Sequence, residues 1–277
     1  MSNMRKIKNQ VQRPVIQIRE HKSLKIQDNL CVEEPLAIYV QFGSGDMNPL
    51  LTVMRTPGDD THLVYGFLFS EGLIRNIDDV ISISADHADD PNRIDVVLAE
   101  QLVELPSRRF SMNSSCGLCG RLLIEDIERL VPAYPDDKGF TFPGELLGEI
   151  GADAKSQQEL YLSTGASHAA SLFSLEGNLV YGAEDIGRHN AVDKLIGKML
   201  INGDTSFGDK ILLVSGRASY ELVQKAVMAG IRIMVAVGAP SSLALSLAQR
   251  FDLTLVGFLR PTGYTIYNGH WRLQQES

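Results

Sequence analysis

Three short apolar runs alternate with two amphipathic segments in ILLVSGRASYELVQKAVMAGIRIMVAVGAPSSLALSLAQRFDLTLVGF, residues Ile211–Phe258. Apolar runs of this length predict buried strands, namely Ile211–Ser215, Ile233–Val237 and Leu253–Phe258. The segments between them predict helices, namely Tyr220–Gly230 and Ser242–Arg250. Serines precede both helices, where capping residues are favoured, and Gly230 ends the first. Strands joined through helices predict βαβ crossovers and a mainly parallel sheet with both faces covered.

The residues before this stretch predict two more strands and one helix. The apolar runs Ala169–Phe173 and Leu179–Ala183 flank LEGN, which predicts a hairpin. A helix is predicted over Arg188–Leu200.

The first half of the chain predicts a small mixed α+β domain. A helix is expected over Asp59–Ile74, capped by Asp60 or Thr61, and another from near Cys116 to about Leu130. Proline-rich Pro132–Gly144 predicts a linker, so we expect domains at 1–137 and 138–277. The strands expected in this half are Leu36–Phe42, Leu50–Arg55, Val80–Ser84 and Ile94–Leu98.

The composition excludes several classes of protein. Of 277 residues, 44% are hydrophobic and 22% charged, which is ordinary for a globular chain able to bury a full core. The longest apolar runs are too short to cross a membrane, and the start MSNMRKIKNQ is not a signal peptide. We therefore expect a cytoplasmic protein. A net charge of −8 argues against a nucleic-acid partner.

The charge is uneven along the chain. Residues 1–25 hold seven basic side chains and one glutamate, Glu20. Such a segment could contact an acidic partner or an anionic ligand, but terminal charge runs are usually disordered. We expect a solvated tail.

Two of the three cysteines, Cys116 and Cys119, lie in SSCGLCG, residues 114–120. At a helix start, free N–H groups favour the thiolate, which suits nucleophilic sulfur chemistry in which one thiolate carries a group and the other assists or resolves. Three alternatives stay open: structural cysteines, a redox pair and a zinc site. A thioredoxin-like pair should follow a strand, whereas this pair follows a loop. Zinc needs about four ligands, and this pair supplies two. The remaining ligands would have to come from Cys31, His168 and His189, because the sequence contains no second C-x-x-C. We therefore predict no bound zinc.

Polar clusters follow several predicted strands of the second half. Arg188 and His189 lie in EDIGRHNAVDK at a predicted helix start, and Arg217 and Ser219 lie in SGRASY. Helix N-termini with arginine suit phosphate groups, and open α/β sheets bind ligands at the carboxyl ends of strands. A capping and salt-bridge network is the alternative for EDIGRHNAVDK. GAPSS and GFLRPTG follow the next two strands, so a pocket for a phosphorylated, nucleotide-like ligand is expected.

The segments CGLCG, TGASHAA, EDIGRHNAVDKLIG, SGRASYELVQKA, GAPSSLA and LTLVGFLR, in this order, resemble the formate dehydrogenase accessory sulfurtransferase family. The resemblance covers about residues 35–267. It implies a protein that accepts sulfur from a cysteine desulfurase and passes it to the bis-molybdopterin guanine dinucleotide form of the molybdenum cofactor. The cofactor is then a bound client of the protein, and it enters formate dehydrogenase afterwards. It also implies a homodimer and a cytidine-deaminase-like, three-layer α/β second domain.

By this resemblance Cys116 carries the persulfide, and Cys119 assists or resolves. The segment matching the family's cofactor-binding loop consists of Phe258, Leu259, Arg260, Pro261, Thr262 and Gly263. Thr262 and Gly263, together with Tyr264, stand where other members carry more glycine and basic residues.

Two other functions compete with sulfur transfer. A zinc deaminase needs H-x-E followed by P-C-x-x-C. Here His168-Ala169-Ala170 lacks the glutamate and no cysteine follows Cys119, so deamination is excluded. The remaining alternative is a non-catalytic chaperone that binds the molybdenum cofactor while its cysteines are structural.

Overall fold

The computed structural model describes residues 8–85, 87, 90–99, 127–128, 131, 141–204 and 207–274. Fourteen strands and six helices lie in these ranges. The strands are β1 (Gln10–Arg19), β2 (Lys22–Cys31), β3 (Glu34–Phe42), β4 (Asn48–Arg55), β5 (Val80–Ser84), β6 (Arg93–Leu98), β7 (Phe142–Pro143), β8 (His168–Ser174), β9 (Leu179–Asp185), β10 (Lys210–Val214), β11 (Ile233–Ala236), β12 (Thr254–Arg260), β13 (Gly263–Asn268) and β14 (Leu273–Gln274). The helices are α1 (Asp60–Ser70), α2 (Leu146–Ser156), α3 (Glu159–Thr164), α4 (Arg188–Ile201), α5 (Tyr220–Met228) and α6 (Ser242–Arg250).

A six-stranded sheet in the order β13-β12-β11-β10-β8-β9 organises the second half of the chain. The crossovers β10-α5-β11 and β11-α6-β12 were predicted correctly, and they make these three strands parallel. The expectation of a mainly parallel sheet was wrong, because β8, β9 and β13 all pair antiparallel. Strands β9 and β13 each form a hairpin with the strand before them, and a hairpin reverses the chain without a crossover helix.

Both faces of this sheet are covered, so this part of the chain has three layers. Leu212 and Met234 point to the face that packs against α4, α5 and α6, as their place in that apolar cluster shows. Their neighbours Ile211 and Ile233 pack on the opposite face with Leu147 of α2. The alternation follows from the two-residue period of a strand, and full burial of both faces explains the unbroken apolar runs in the sequence.

A four-stranded sheet in the order β4-β3-β6-β5 forms a second core in the first half of the chain. Alternate residues of β3, such as Leu36 and Ile38, are completely buried and pack against Leu63 and Leu68 of α1. The predicted strands and helix of this half are therefore present. The helix begins after Asp59, which has left-handed backbone and makes no side-chain cap, rather than after Asp60 or Thr61.

The basic N-terminal segment is not a solvated tail throughout. Strands β1 and β2 form a ten-residue antiparallel hairpin whose register runs from Gln10 opposite Cys31 to Arg19 opposite Lys22. Ile16 and Ile18 are about two-thirds exposed, at 64% and 65%. A strand with exposed apolar side chains does not show the alternation of buried and exposed residues by which strands are predicted. For this reason the sequence predicted a solvated tail here instead of a hairpin.

The two cores meet where α1 crosses α4. A Cβ added at Gly66 would lie 1.8 Å from the carbonyl oxygen of Asp193, and one added at Gly197 would lie 1.8 Å from that of His62. Only glycine permits this approach of the two helix backbones. Helix α4 is therefore shared between the two halves of the molecule, packing on the six-stranded sheet and on α1.

Several expectations lie outside the described residues. They include the helix from Cys116 to Leu130, apart from Ile127 and Glu128, which are helical, and most of the linker Pro132–Gly144. The domain boundary at 137 stays a prediction. In the part of the chain that the structure describes, no helix is long and apolar enough to span a membrane.

Candidate functional site

The predicted polar clusters converge on one edge of the six-stranded sheet. The carboxyl ends of the parallel strands β10, β11 and β12 meet there. The antiparallel hairpin adds the start of β8 and the end of β9, where His168 lies opposite Asp185. Helices α4, α5 and α6 all begin at this edge, because each follows a strand that ends there. This is the edge at which open α/β sheets bind ligands.

Backbone hydrogen bonds join the loops across this edge. The amide of Phe258 donates to the carbonyl of Gly238 (3.1 Å), and the amide of Gly238 donates to the carbonyl of Gly216 (2.9 Å). A Cβ at Gly238 would lie 2.9 Å from the Cα of Arg217, so the close packing of these loops requires glycine. The loops after three strands thus form one continuous surface.

Arg188 and His168 line this surface together beside Gly216. A Cβ added at Gly216 would lie 3.6 Å from both Cδ of Arg188 and Nδ1 of His168. Nε of Arg188 is buried and has no hydrogen-bond partner among the described residues. Gly187 at the N-cap of α4 has no side chain, so it cannot accept hydrogen bonds from the first N–H groups of the helix. Both features suit an anionic group.

His189 faces α5 rather than the loops. Its Nε2 lies 2.8 Å from Oε2 of Glu221 and 3.3 Å from Oγ of Ser219, the residue before α5. The hydrogen bond from His189 lowers the pKa of Glu221, and nearby positive charge lowers it further. His189 and Ser219 therefore lie in the same cluster, as predicted, although each already has a partner.

The predicted loop from Phe258 to Gly263 is a strand pair joined by a two-residue turn. Phe258, Leu259 and Arg260 end β12, and Pro261 and Thr262 form the turn before β13. Leu259 is buried in the core, where its side chain lies against Gly151. Phe258 is exposed and has a positive φ of 54°, a strained conformation for a bulky residue. The sheet register shifts between Gly257 and Arg260, which turns Phe258 outward.

The other two predicted arginines are exposed at this edge. Arg260 donates through Nη1 to the carbonyl oxygen of Val237 (2.8 Å), just beyond the end of β11. Arg217 follows β10 and packs against Gly238. Arg188 therefore begins the helix after β9, Arg217 lies in the loop after β10, and Arg260 is the last residue of β12.

Part of EDIGRHNAVDK does form the salt-bridge network that was the alternative interpretation. Nζ of Lys194 lies 2.8 Å from Oδ2 of Asp185, and both side chains are buried. Lys194 also donates to the carbonyl oxygen of Thr56 (2.9 Å), while the Thr56 amide donates to Oδ2 of Asp185 (3.1 Å). Asn190 donates to the carbonyl oxygen of Met54 (2.8 Å). These side chains join α4 to the end of β4.

A second buried network continues along α4. Oδ1 of Asp193 lies 2.8 Å from Nζ of Lys225 and accepts a hydrogen bond from Oγ of Ser70 (3.1 Å). Lys225 also lies 3.5 Å from Oε1 of Glu71. Burial raises the pKa of Asp193, which the charge of Lys225 opposes. The motif therefore divides into residues at the candidate ligand edge, such as Arg188, and residues that hold the two halves of the molecule together.

Two further side chains contribute to the site: Ser215, the first residue of the predicted SGRASY segment, and Thr56, which sequence reasoning missed. Ser215 accepts a hydrogen bond from the Ala169 amide (2.9 Å) and lies 3.4 Å from Nδ1 of His168. Thr56 accepts one from the Ile186 amide through Oγ1 (3.0 Å), which fixes the loop before Arg188. The strand-end position of Ser215 was a usable signal. Thr56 is separated by 130 residues from its partner Ile186, and no local sequence signal indicates their contact.

Cys31 is the one cysteine within the described residues. Its Sγ lies 3.3 Å from Oγ1 of Thr56, and burial is the main cause that raises its pKa. The described ranges contain no cluster of three His, Cys, Asp or Glu side chains suited to a metal ion. Cys116 and Cys119 lie outside those ranges, so their role and the absence of zinc stay predictions.

Known proteins resemble this chain along most of its length. A model of the FdhD/NarQ family matches residues 31–274. The chain is 42% identical over 272 residues to the sulfur carrier protein FdhD of Nocardia farcinica, covering 96% of this chain and 95% of that one. It is 40% identical over 255 residues to the sulfur carrier protein FdhD of Sulfurisphaera tokodaii, covering 91% and 94%. A crystal structure of a candidate formate dehydrogenase accessory protein from Desulfotalea psychrophila matches with a TM-score of 0.77 at 25% identity, covering 96% of this chain and 100% of that chain. Since the family model spans both cores and the whole sheet edge, the chain belongs to the FdhD/NarQ family.

Proposed function

We propose that this protein is a sulfur carrier that supports formate dehydrogenase by transferring sulfur to the molybdenum cofactor. The proposal draws on the curated relatives, which are named sulfur carrier proteins, and on the sheet edge described above. The observation that carries it is the convergence of Arg188, Arg217 and Arg260 with helix starts on one surface. The cofactor is the client, bis-molybdopterin guanine dinucleotide, whose phosphates and flat rings need such a surface.

The ligand side of the proposal follows from charge and shape. Phosphate groups are bound well by guanidinium groups and by free N–H groups at helix starts, and both are present near Gly216. The exposed ring of Phe258, held outward by its positive φ, offers a stacking surface beside the same loops.

The sulfur side rests on Cys116 and Cys119. The Cys116 thiolate attacks the terminal sulfur of the desulfurase persulfide, the S–S bond of that persulfide breaks, and the desulfurase cysteine leaves as a thiolate. Cys116 then carries the sulfur as a persulfide. Delivery of sulfide needs two electrons, which Cys119 supplies when its thiolate attacks Sγ of Cys116. The sulfide leaves to molybdenum, and a Cys116–Cys119 disulfide remains.

The test is persulfide loading. The full chain is incubated with a cysteine desulfurase and cysteine, and intact-protein mass spectrometry measures the gain of one sulfur atom. Wild type is expected to gain it and Cys116→Ser to lose it. Cys31→Ser is the matched control, because burial raises the pKa of Cys31 and makes it a poor nucleophile. Normal loading of Cys116→Ser would overturn the assignment of the carrier cysteine.

The same variants separate sulfur transfer from a purely cofactor-binding role. If Cys116→Ser abolishes formate dehydrogenase activity in cells yet leaves cofactor affinity intact, sulfur transfer is required. A non-catalytic chaperone would tolerate Cys116→Ser, provided that the variant folds. Elemental analysis of the wild-type protein tests whether it binds zinc. If it contains about one zinc per chain, and this zinc is lost when both Cys116 and Cys119 are replaced, a structural metal site is favoured instead.

The protein is proposed to act as a homodimer in the cytoplasm. The hairpin of β1 and β2 exposes Ile16, Ile18, Leu24 and Leu30, and it belongs to a basic segment of an acidic chain. Apolar and basic surface of this kind fits the acidic body of a second copy. Sedimentation analysis should give a dimer that dissociates when Ile16 and Ile18 are replaced by serine. A wild-type monomer would contradict this part of the proposal.

A further inference from the structure

The imidazole of His168 lies in a position that is rich in positive charge. Its Nδ1 is 3.4 Å from the hydroxyl of Ser215. Gly216 lies against both His168 and the Arg188 side chain. His168 is about half-buried, so water compensates its charge only in part.

The carboxylates near His168 are engaged elsewhere. Asp185 of β9, which lies opposite His168 in the hairpin, binds Lys194 and accepts the amides of Thr56 and Gly187. Its neighbour Glu184 accepts the amides of Leu160 and Tyr161 and the hydroxyl of Ser167.

The groups that α4 presents to His168 are positive or able to become so. Arg188 and His189 both oppose a charge on His168, and His189 is bound to Glu221 of α5. Burial is the main cause that lowers the pKa of His168, and the charges of Arg188 and His189 lower it further. The negative charge of Asp185 opposes this shift but is the smallest of the causes, so the pKa stays lowered. The imidazole is therefore neutral at neutral pH when the site holds no anion.

We propose that His168 takes up a proton when a phosphate group binds beside Arg188, so that the site holds phosphorylated ligands more tightly as the pH falls. This inference rests on the proposed function, since it concerns the same site. The phosphate supplies the negative charge that His168 lacks, and Nε of Arg188 gains the partner that it lacks among the described residues. The proton comes from solvent on binding and returns to solvent on release.

The direction of the effect follows from linkage. His168 is neutral in the free protein and charged in the complex, so its pKa is higher in the complex. Between those two pKa values the affinity falls as the pH rises, by up to about tenfold per pH unit for one proton. A phosphate monoester loses its second proton near pH ~6, so measurements above pH ~7 exclude titration of the ligand.

The experiment is calorimetric titration of the full chain with guanosine diphosphate at several pH values above neutrality. Two buffers with different heats of ionisation are used, because the difference in measured heat gives the number of protons taken up. The variant His168→Gln keeps a hydrogen-bonding side chain but does not titrate. The control His62→Gln removes an imidazole that is paired with Asp59 on α1, away from this edge.

Wild type and His62→Gln should take up part of a proton and lose affinity as the pH rises. His168→Gln should bind with less uptake and a flatter pH dependence. Equal uptake in wild type and His168→Gln, with binding intact, would overturn this inference and leave the proposed ligand site standing. Failure of wild type to bind would overturn both.

A second measurement does not depend on any variant. The His168 imidazole is followed by nuclear magnetic resonance in the wild-type protein, with resonances assigned through the backbone, during pH titration with and without guanosine diphosphate. A rise in the His168 pKa on binding is expected. An unchanged value would overturn the inference.

Discussion

Lys194 and Asp185 form an ion pair of 2.8 Å in which neither side chain reaches solvent appreciably, with exposed fractions of 3% and 0%. Both also bind the backbone of Thr56, at the end of the four-stranded sheet. The pair therefore holds that sheet against the start of α4, and Arg188 is the first residue of the helix. The same contact therefore contributes to stability and to the geometry of the candidate ligand site.

Replacing Lys194 with methionine should strongly destabilise the protein. Removal of one partner leaves Asp185 buried without its counter-charge, which typically costs about 3–5 kcal/mol. Urea unfolding measures the change in the free energy of unfolding. Arg250→Ala is the control, because that arginine is 63% exposed in its pair with Glu128 and should cost less than about 1 kcal/mol. Equal stability of Lys194→Met and wild type would refute the assigned role of the pair.

Gly66→Ala should also be destabilising, through packing. The new methyl carbon would lie 1.8 Å from the carbonyl oxygen of Asp193, so α1 and α4 would have to separate. Overpacking typically costs about 1–3 kcal/mol, and a clash with backbone belongs at the upper end. Gly182→Ala is the matched control, because nothing lies within 4 Å of the added carbon. Thermal denaturation should show a large loss for the first variant and little change for the second; similar melting temperatures would contradict the close crossing.

Arg188→Ala and Arg217→Ala should each weaken binding of guanosine diphosphate, a fragment of the proposed client cofactor. Loss of a hydrogen bond to a charged group costs about 1.5–3 kcal/mol, which is more than tenfold in affinity. Raising the salt concentration should weaken wild-type binding as well, because salt screens charge interactions. Calorimetry compares these variants with Arg250→Ala, whose arginine lies on the exposed end of α6. Equal affinities in all four proteins would place the ligand elsewhere.

The contribution of His168 to the stability of the unliganded protein should fall as the pH drops below about 6.5, the ordinary pKa of histidine. The folded state lowers the pKa of His168, so below 6.5 the unfolded chain binds a proton that the folded chain does not. The loss continues until the pH reaches the lower, folded-state value. Urea unfolding between pH ~7 and ~5 should give a shallower pH dependence for His168→Gln than for wild type. Identical dependence would exclude His168 as a contributor.

The strands and helices between Ile211 and Phe258 could be predicted because their sequence pattern is local. A strand buried on both faces has to be apolar throughout, and serine or glycine marks the helix ends. The hairpin Gln10–Cys31 gave no such signal. Its strands pack against little else, so no burial pattern distinguishes them from a basic tail.

The edge at which the predicted arginines meet could be predicted, but the contacts of their individual side chains could not, and ligand binding there stays a prediction. Strand ends followed by arginine and small residues indicate a ligand edge in any open α/β sheet, and Arg188, Arg217 and Arg260 do lie there. The inward side chain of Leu259 and the outward one of Phe258 depend on a shift of register between β12 and β13. That shift is an irregularity within the hairpin of β12 and β13, and it breaks the two-residue alternation from which the faces of a strand are predicted.

By itself the sequence determined that EDIGRHNAVDK starts a helix and that Asn190, Asp193, Lys194 and Gly197 share one face, since their spacing follows the helical period. Only the tertiary structure decided that this face packs on α1 and the end of β4, while Arg188 lines the ligand edge. The physical reason is that buried charges need hydrogen-bond partners as well as counter-charges. Two of those hydrogen-bond partners, the carbonyl of Thr56 and the hydroxyl of Ser70, are more than a hundred residues away in the chain.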